Sequence, residues 1–262
     1  MRWIYLSPHL DDAAFSCGGL IWEQAQAGFE VQVWTICAGD PPEGPLSPFA
    51  ESLHKRWGSG VDSGKMRRQE DLRASEILGA AVHHLPIPDC IYRRQQGSGE
   101  YLYASEESLF GRLHPSEKEL VESLADTLQE AVLVGDMEAV NLGGVNLVCP
   151  LGLGGHVDHQ LTRAAAERLA CSQPACTSWY YADFPYILED STLLAELPEE
   201  GWQPHVFPVS PGGLKAWQRS MAAHSSQIST FWDGIAEMEA SILAYCQEAG
   251  GVRLWRKAAA VK

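Results

Sequence analysis

The chain has 262 residues, 45% of them hydrophobic, which suits one large domain with a substantial core. Its formal net charge of −15 repels phosphate backbones and anionic membrane surfaces, so no nucleic-acid partner is expected. No apolar run approaches the roughly 20 residues of a bilayer span, and the N-terminus enters an apolar run directly, with no signal-peptide pattern. Seven cysteines, an odd number without a CxxC pair, read as reduced thiols in a cytoplasmic protein.

In chain order, "WIYLS" reads as a strand and "AAFSCGGLIWEQAQAG" as a helix ending at Gly28. "EVQVWTICAG" is a second strand. "KMRRQEDLRASEILGA" is a helix expected to turn Leu72, Ile77 and Leu78 inward and to stop at Gly79. "AVHHLPIPD" is a third strand. "SEKELVESLADTLQEAV" is a helix with Ser116 as expected N-cap and Glu119 completing a capping box. "VNLVCPLG" is a strand, "HQLTRAAAERLAC" a helix, and "TSWYYADFPYI" and "PHVFPVS" later strands. Residues 41–63 and 94–112 read as long loops, which in compact domains often bind or cover ligands. Arg67-Arg68 and Arg93-Arg94 are paired arginines, expected mainly as solvated surface.

Strands alternating with helices imply βαβ units. The expected fold is three-layer, Rossmann-like α/β with a mostly parallel sheet. Residues 1–262 form a single domain, in which 214–262 is a helical C-terminal extension that packs on the sheet or offers a surface for homo-oligomerisation.

Two stretches carry chemistry. "SPHLDDAAFSCGG" puts His9, Asp11 and Asp12 at the carboxyl end of the first strand, where open α/β sheets bind ligands. Adjacent aspartates repel, and a cap explains only one of them. "PLGLGGHVDHQ" puts His156, Asp158 and His159 at the equivalent end of a later strand. Two imidazoles, a carboxylate and an open position suit a catalytic zinc ion. His9 and Asp12, three apart, can turn to one point, leaving Asp11 to face water as a general base. One histidine of the second stretch would complete the shell. The other, oriented by Asp158, could act as a cationic oxyanion stabiliser or acid.

"PHLDD" with "HVDH" resembles the PIG-L/LmbE-like family of zinc-dependent de-N-acetylases. "RRQEDLRASEILGA" is similar to the family's Arg-x-x-Glu helix, matching Arg67 and Glu70. "LPIPD" matches at Asp89, "YADFPY" resembles one branch, and "AHSSQ" resembles a C-terminal His-x-Ser-Gln element. The resemblance implies His9, Asp12 and His159 as metal ligands, Asp11 as base, His156 as acid or oxyanion stabiliser and Asp158 as its partner. It implies Arg67 and Asp89 as substrate-binding residues, with zinc, or ferrous iron in its place, as cofactor. The implied reaction removes an N-acetyl group from an N-acetylglucosamine-type sugar or sugar conjugate. Alternatives are an amidase on another N-acyl or thiol conjugate, and a non-catalytic sugar-binding protein. Ala13 stands where the motif carries glutamate. Gly154 stands where some relatives place an oxyanion-stabilising tyrosine, which leaves Tyr180, Tyr181 and Tyr186 as substitutes.

Overall fold

The computed structural model describes residues 1–57, 63–134, 144–173, 176–189, 192–194, 197 and 201–258; residues 58–62 of the first long loop lie outside it. Strand β1 (Arg2–Ser7) leads into α1 (Asp12–Gln26), then β2 (Glu30–Thr35), α2 (Pro48–Arg56), α3 (Ser63–Leu78) and β3 (Ala81–His84). After a one-turn α4 (Glu106–Leu109) come α5 (Lys118–Val134), β4 (Val145–Pro150), α6 (Val157–Ser172), β5 (Cys176–Tyr181) and the one-turn α7 (Tyr186–Glu189). The chain ends with β6 (Trp202–Phe207), α8 (Pro211–Ala223), α9 (Ser225–Phe231), α10 (Ile235–Ala249) and β7 (Val252–Lys257).

The described strands form one sheet in the order β3-β2-β1-β4-β5-β7-β6. Neighbours from β3 to β5 run parallel, and β7 pairs antiparallel with both β5 and β6. The order reverses between β1 and β4, which pair in register from Arg2 opposite Val145 to Tyr5 opposite Val148. Right-handed crossovers then put α1 and α3 on one face and α5 and α6 on the other. Helix contacts follow this grouping: α1, α3 and α8 pack together, as do α5 and α6. The β1 strand is buried along its whole length, as expected for a central parallel strand.

The first helix is pinned by a close approach. A Cβ on Gly18 would lie 2.5 Å from Trp217 Cδ1, so only glycine lets the α8 tryptophan seat against α1. There Trp217 is fully buried and its indole N–H donates to the Phe15 carbonyl at 3.0 Å. Burial of such a side chain contributes about 2–3 kcal/mol. The join matters to function because α1 begins at the His9–Asp12 turn.

Several expectations are corrected. The C-terminal extension is not wholly helical: β7 inserts into the main sheet. Its apolar Val252 and Leu254 alternate with Arg253 at the period of a strand, after α10 stops at the left-handed Gly250. Leu72 points outward, half exposed. The buried side of α3 instead carries Arg67, Glu70, Asp71, Ala74, Ser75 and Leu78, because this helix delivers polar groups to the interior. Ser116 does not cap α5. His114 caps a 3-10 turn, Pro115–Glu117, that runs straight into the helix and turns Glu117 inward. The "YADFPYI" end of the predicted strand bends into α7. Arg67 and Arg93 are buried rather than solvated. Both long loops contain helices, α2 and α4, and a small second core of Ala50, Leu53, Cys90, Ile91, Tyr92, Tyr103 and Val157 holds them to the body.

Candidate active site

The carboxyl ends of β1 and β4 open side by side, so turns 147 residues apart in sequence meet. His9 and Asp12 come from the first turn, His156 and His159 from the second. The three imidazoles pack edge to face or tilted, with centroids 4.7–5.5 Å apart, and ring nitrogens of His9, His156 and His159 lie within 4.8 Å of one another. Asp12 sits between two of them: Oδ2 is 3.2 Å from His9 Nδ1, and Oδ1 is 3.4 Å from His159 Nε2. The His9 backbone N–H also donates to Asp12 Oδ2, at 2.7 Å, which fixes the carboxylate.

The outer ring nitrogens are held by carboxylates. His9 Nε2 is 3.0 Å from Asp158 Oδ2, and His159 Nδ1 is 2.6 Å from Asp183 Oδ1. Carboxylates behind imidazoles in this way fix the tautomer and aim the inner nitrogens. His159 Nε2, fully buried, has no closer partner among the described residues than Asp12 Oδ1. Two aimed imidazole nitrogens with a carboxylate between them form a donor set that fits zinc or ferrous iron.

Charges in the cluster are strongly perturbed. Burial alone would lower the His9 pKa, but Asp12 and Asp158 outweigh it and raise it well above the usual value. His159, buried between Asp12 and Asp183, is pushed up to about 9 by those carboxylates against the effect of burial. Burial would raise Asp12, yet His159 and His9 hold it well below the carboxylate range. Asp11 goes the other way: burial and the adjacent Asp12 raise it, with Arg67 partly offsetting them. A buried carboxyl with a raised pKa, beside a metal-type cluster, has the character of a general base.

Sequence reasoning expected Asp158 to orient His156 and keep it cationic; the structure arranges them otherwise. Residues two apart at a helix start do not face each other. Asp158 turns its carboxylate to His9, the Cys90 N–H and Arg93. His156 is the N-cap of α6, and its Nδ1 accepts the Asp158 backbone N–H at 3.2 Å. That bond leaves the ring proton on Nε2. Burial and the neighbouring His9 and His159 then drive the His156 pKa well below the usual value, so the ring is neutral.

Arg93, Glu117 and Tyr103 were not assigned a role in the site from sequence. Arg93 donates to Asp158 Oδ1 and Glu117 Oε1, both at 2.5 Å, and Tyr103 donates to Glu117 Oε2. Asp183 lay inside the quoted "YADFPY" without a role. Arg67 Nη2 reaches Asp11 Oδ2 at 3.4 Å, and its guanidinium lies 5.2 Å from the Trp57 ring centre. Asp89 caps the turn that begins at Cys90 and lies 3.9 Å from His9 Nε2. Ala13 is fully buried, its N–H on Ser7 Oγ. Gly154, at φ +82, leaves room for Tyr186, whose Cβ would be 3.4 Å from a Cβ placed there. Tyr180 and Tyr181 are buried in the sheet, whereas Tyr186 lines the cavity.

That cavity, of about 280 Å³, opens over His9, Asp11, Asp12 and His156. Its walls come from α2 and α4 of the two long loops, through Leu53, Trp57, Leu109 and Phe110, and from α9, through Gln227, Thr230 and Phe231. Among the described residues no helix is long and apolar enough to cross a membrane.

Fold and site together define an α/β protein with a histidine–carboxylate centre at the topological switch point of its sheet. Residues 4–170 match the PIG-L family, described as GlcNAc-PI de-N-acetylase, and the chain belongs to that family. It is 24% identical over 213 residues to a 2'-N-acetylparomamine deacetylase of Niallia circulans, covering 76% of this chain and 71% of that protein. It is 30% identical over 194 residues to a 2'-N-acetylparomamine deacetylase of Streptomyces fradiae, covering 71% of this chain and 57% of that protein. A solved structure described as the zinc inhibited form of teicoplanin deacetylase Orf2 superposes with a TM-score of 0.79 at 28% identity, covering 98% of this chain and 97% of that one.

Proposed function

We propose that the chain is a metal-dependent deacetylase that hydrolyses the N-acetyl group of an amino sugar or its conjugate. One observation carries the reading: His9, Asp12 and His159 converge, with the outer nitrogens of the two histidines on carboxylates, beside a base-like Asp11 at the cavity floor. The ligands are His9, Asp12 and His159. Zinc bound there, or ferrous iron in its place, supplies Lewis acidity toward the amide carbonyl and acidifies the attacking water.

The protein's own residues complete the reaction. Asp11 takes a proton from water on an Oδ atom as the new C–O bond forms. Neutral His156 donates from Nε2 to the carbonyl oxygen as charge develops there, with Tyr186 on the same wall. The C–N bond then breaks, and Asp11 passes its proton to the leaving nitrogen, so acetate and a free amine depart. Arg67 holds Asp11 and presents its remaining N–H groups to the substrate, while Asp89 lines the floor. The relatives' activities on 2'-N-acetylparomamine and teicoplanin support an amino-sugar substrate. The seven unpaired cysteines support a reducing, cytoplasmic setting.

The test is acetate release from a panel of N-acetylated amino sugars and glycosides, before and after chelation and with zinc or ferrous iron restored. The expected result is metal-dependent release. Tight binding of these sugars without acetate release would replace this reading with a sugar-binding role, and release from other N-acyl conjugates alone would move the substrate class.

A further inference from the structure

Two segments matched in the sequence are left unused by this chemistry: Glu70 on α3, and the His224–Gln227 element that opens α9. The structure joins them. Glu70 is buried, and Ser225 Oγ donates to its Oε1 at 2.7 Å, the Ser226 N–H to Oε1 at 2.9 Å and Ser226 Oγ to Oε2 at 2.6 Å. His224, at the N-cap, makes no side-chain capping bond of its own. The carboxylate of α3 therefore caps α9 from outside, meeting free N–H groups and the positive end of the helix. A helix of seven residues has little stability of its own, so the anchor decides where it sits.

What α9 carries is part of the cavity wall. Gln227, Thr230 and Phe231, at spacings of three and four, fall on one helix face and line the cavity. Gln227 Nε2 donates to Ser226 Oγ at 2.9 Å, the same hydroxyl that Glu70 holds. The path Glu70–Ser226–Gln227 is thus continuous. The Gln227 carbonyl Oε1 accepts no hydrogen bond from the described residues, although the residue is buried and at the cavity. One turn earlier on α3, Arg67 reaches Asp11. A single helix addresses the reacting side through Arg67 and the opposite wall through Glu70.

We propose that Gln227 is the wall residue that contacts a sugar hydroxyl of the substrate, and that Glu70, acting through Ser226, is its positioning residue. This rests on the amino-sugar reading above. A neutral amide offers an acceptor and a second N–H to a hydroxyl without burying another charge among the carboxylates of the floor.

The test uses metal-loaded protein with N-acetylglucosamine as probe, reading KM and kcat from acetate release, metal content, and hydrogen exchange of residues 225–231. Gln227→Ala should raise KM about tenfold with kcat nearly unchanged, the worth of one hydrogen bond to a neutral partner. Glu70→Ala should raise KM to the same degree, speed exchange in α9 by tenfold or more, and leave metal content intact. Glu70→Gln, which keeps shape and acceptor, should restore both. The double variant Glu70→Ala, Gln227→Ala should be no worse than either alone. If Glu70→Ala does not fold, Ser226→Ala cuts the same path and should reproduce the Gln227→Ala change. An unmoved KM in Gln227→Ala, unchanged α9 exchange in Glu70→Ala, or additive effects in the double variant overturn the proposal. Wild-type protein that binds the probe without cleaving it overturns the deacetylase reading instead, and the same comparison is then made on Kd. Wild-type protein that neither binds nor cleaves it overturns the sugar contact itself.

Discussion

Arg93 gives the sharpest prediction, because its two carboxylate partners are among the most deeply buried charges in the protein. Asp158 is 0% exposed and Glu117 is 4% exposed, and each lies 2.5 Å from the Arg93 guanidinium. Burial would raise the Asp158 pKa, yet Arg93 and His9 hold it well below the carboxylate range. Arg93→Met keeps the volume but strands both charges. Breaking a buried pair from one side costs about 3–5 kcal/mol. Tyr103 and the Cys90 N–H still bond the carboxylates, so a loss of about 4 kcal/mol is expected for the pair of contacts. With an unfolding entropy of about 0.55 kcal/mol/K for a chain this long, the midpoint should fall by about 7 °C.

The informative comparison is a second change. Adding Glu117→Gln to Arg93→Met removes one stranded charge and should recover about half of the lost stability, so the double variant is more stable than the single one. Thermal and denaturant unfolding of the metal-free proteins measure this apart from metal linkage. Because Asp158 also aims His9, Arg93→Met should weaken metal binding by about 10–100-fold. A double variant less stable than Arg93→Met would refute the reasoning, since it would mean that Glu117 contributes by something other than its pairing with Arg93.

Alanine at His9, Asp12 or His159 should abolish tight metal binding and activity together, read by metal analysis beside acetate release. Asp11→Asn should keep the metal and lose about 10²–10⁴ in rate, and stripping of the metal by this change while Asp12→Asn retains it would exchange their roles. Asp183→Asn should lower metal affinity by about 10–100-fold, measured by competition with a chelator, through the freed His159 ring. His159, raised to about 9 in the metal-free chain, must lose a proton to bind metal. With His9 raised as well, affinity should climb by about a hundredfold per pH unit while both rings are protonated and less steeply above about pH 9, and a slope of about tenfold or less between pH 7 and 9 would count against His159 as a ligand. From this group alone, the stability of metal-free protein is full below its ordinary value of 6.5 and is lost as pH rises through about 9.

What sequence could reach was set by locality. His9 and Asp12 were legible as a pair because three-residue spacing at a turn aims two side chains together. The meeting of the two motifs followed from strand alternation, because a βαβ order puts the ends of β1 and β4 at one switch point. Partners that cross the sheet left no such trace. Nothing near Asp183 marks it as the support of His159, nor does Arg93 announce Asp158, 65 residues away. The Asp158–His156 pairing failed on a local rule, since positions two apart on a helix diverge. Leu72 failed because hydrophobic periodicity assumes that apolar groups define the buried face, whereas α3 buries Arg67 toward Asp11, Glu70 on α9 and Asp71 on Thr35 and His84.

The same concentration of buried carboxylates explains the perturbed histidines. Asp11, Asp12, Asp89, Asp158 and Asp183 surround the floor, against the guanidiniums of Arg67 and Arg93, one of which Glu117 also claims. Negative charge in surplus draws protons onto the nearest bases. His9 is raised well above its usual value, and His159 to about 9, by the very aspartates that fix their rings. In the metal-free cluster both imidazoles that face Asp12 thus hold their protons more tightly than a free histidine. A divalent ion held by His9, Asp12 and His159 would have to displace those protons, so positive charge would leave as positive charge arrives. The exchange would keep the charge of the interior nearly balanced, with Asp183 and Asp158 placed on the outer nitrogens. His156 lies outside this exchange: it is kept neutral by burial and by its neighbours' charge, and bonded through Nδ1 to the backbone. It can therefore offer Nε2–H to the cavity while the two rings beside it face Asp12.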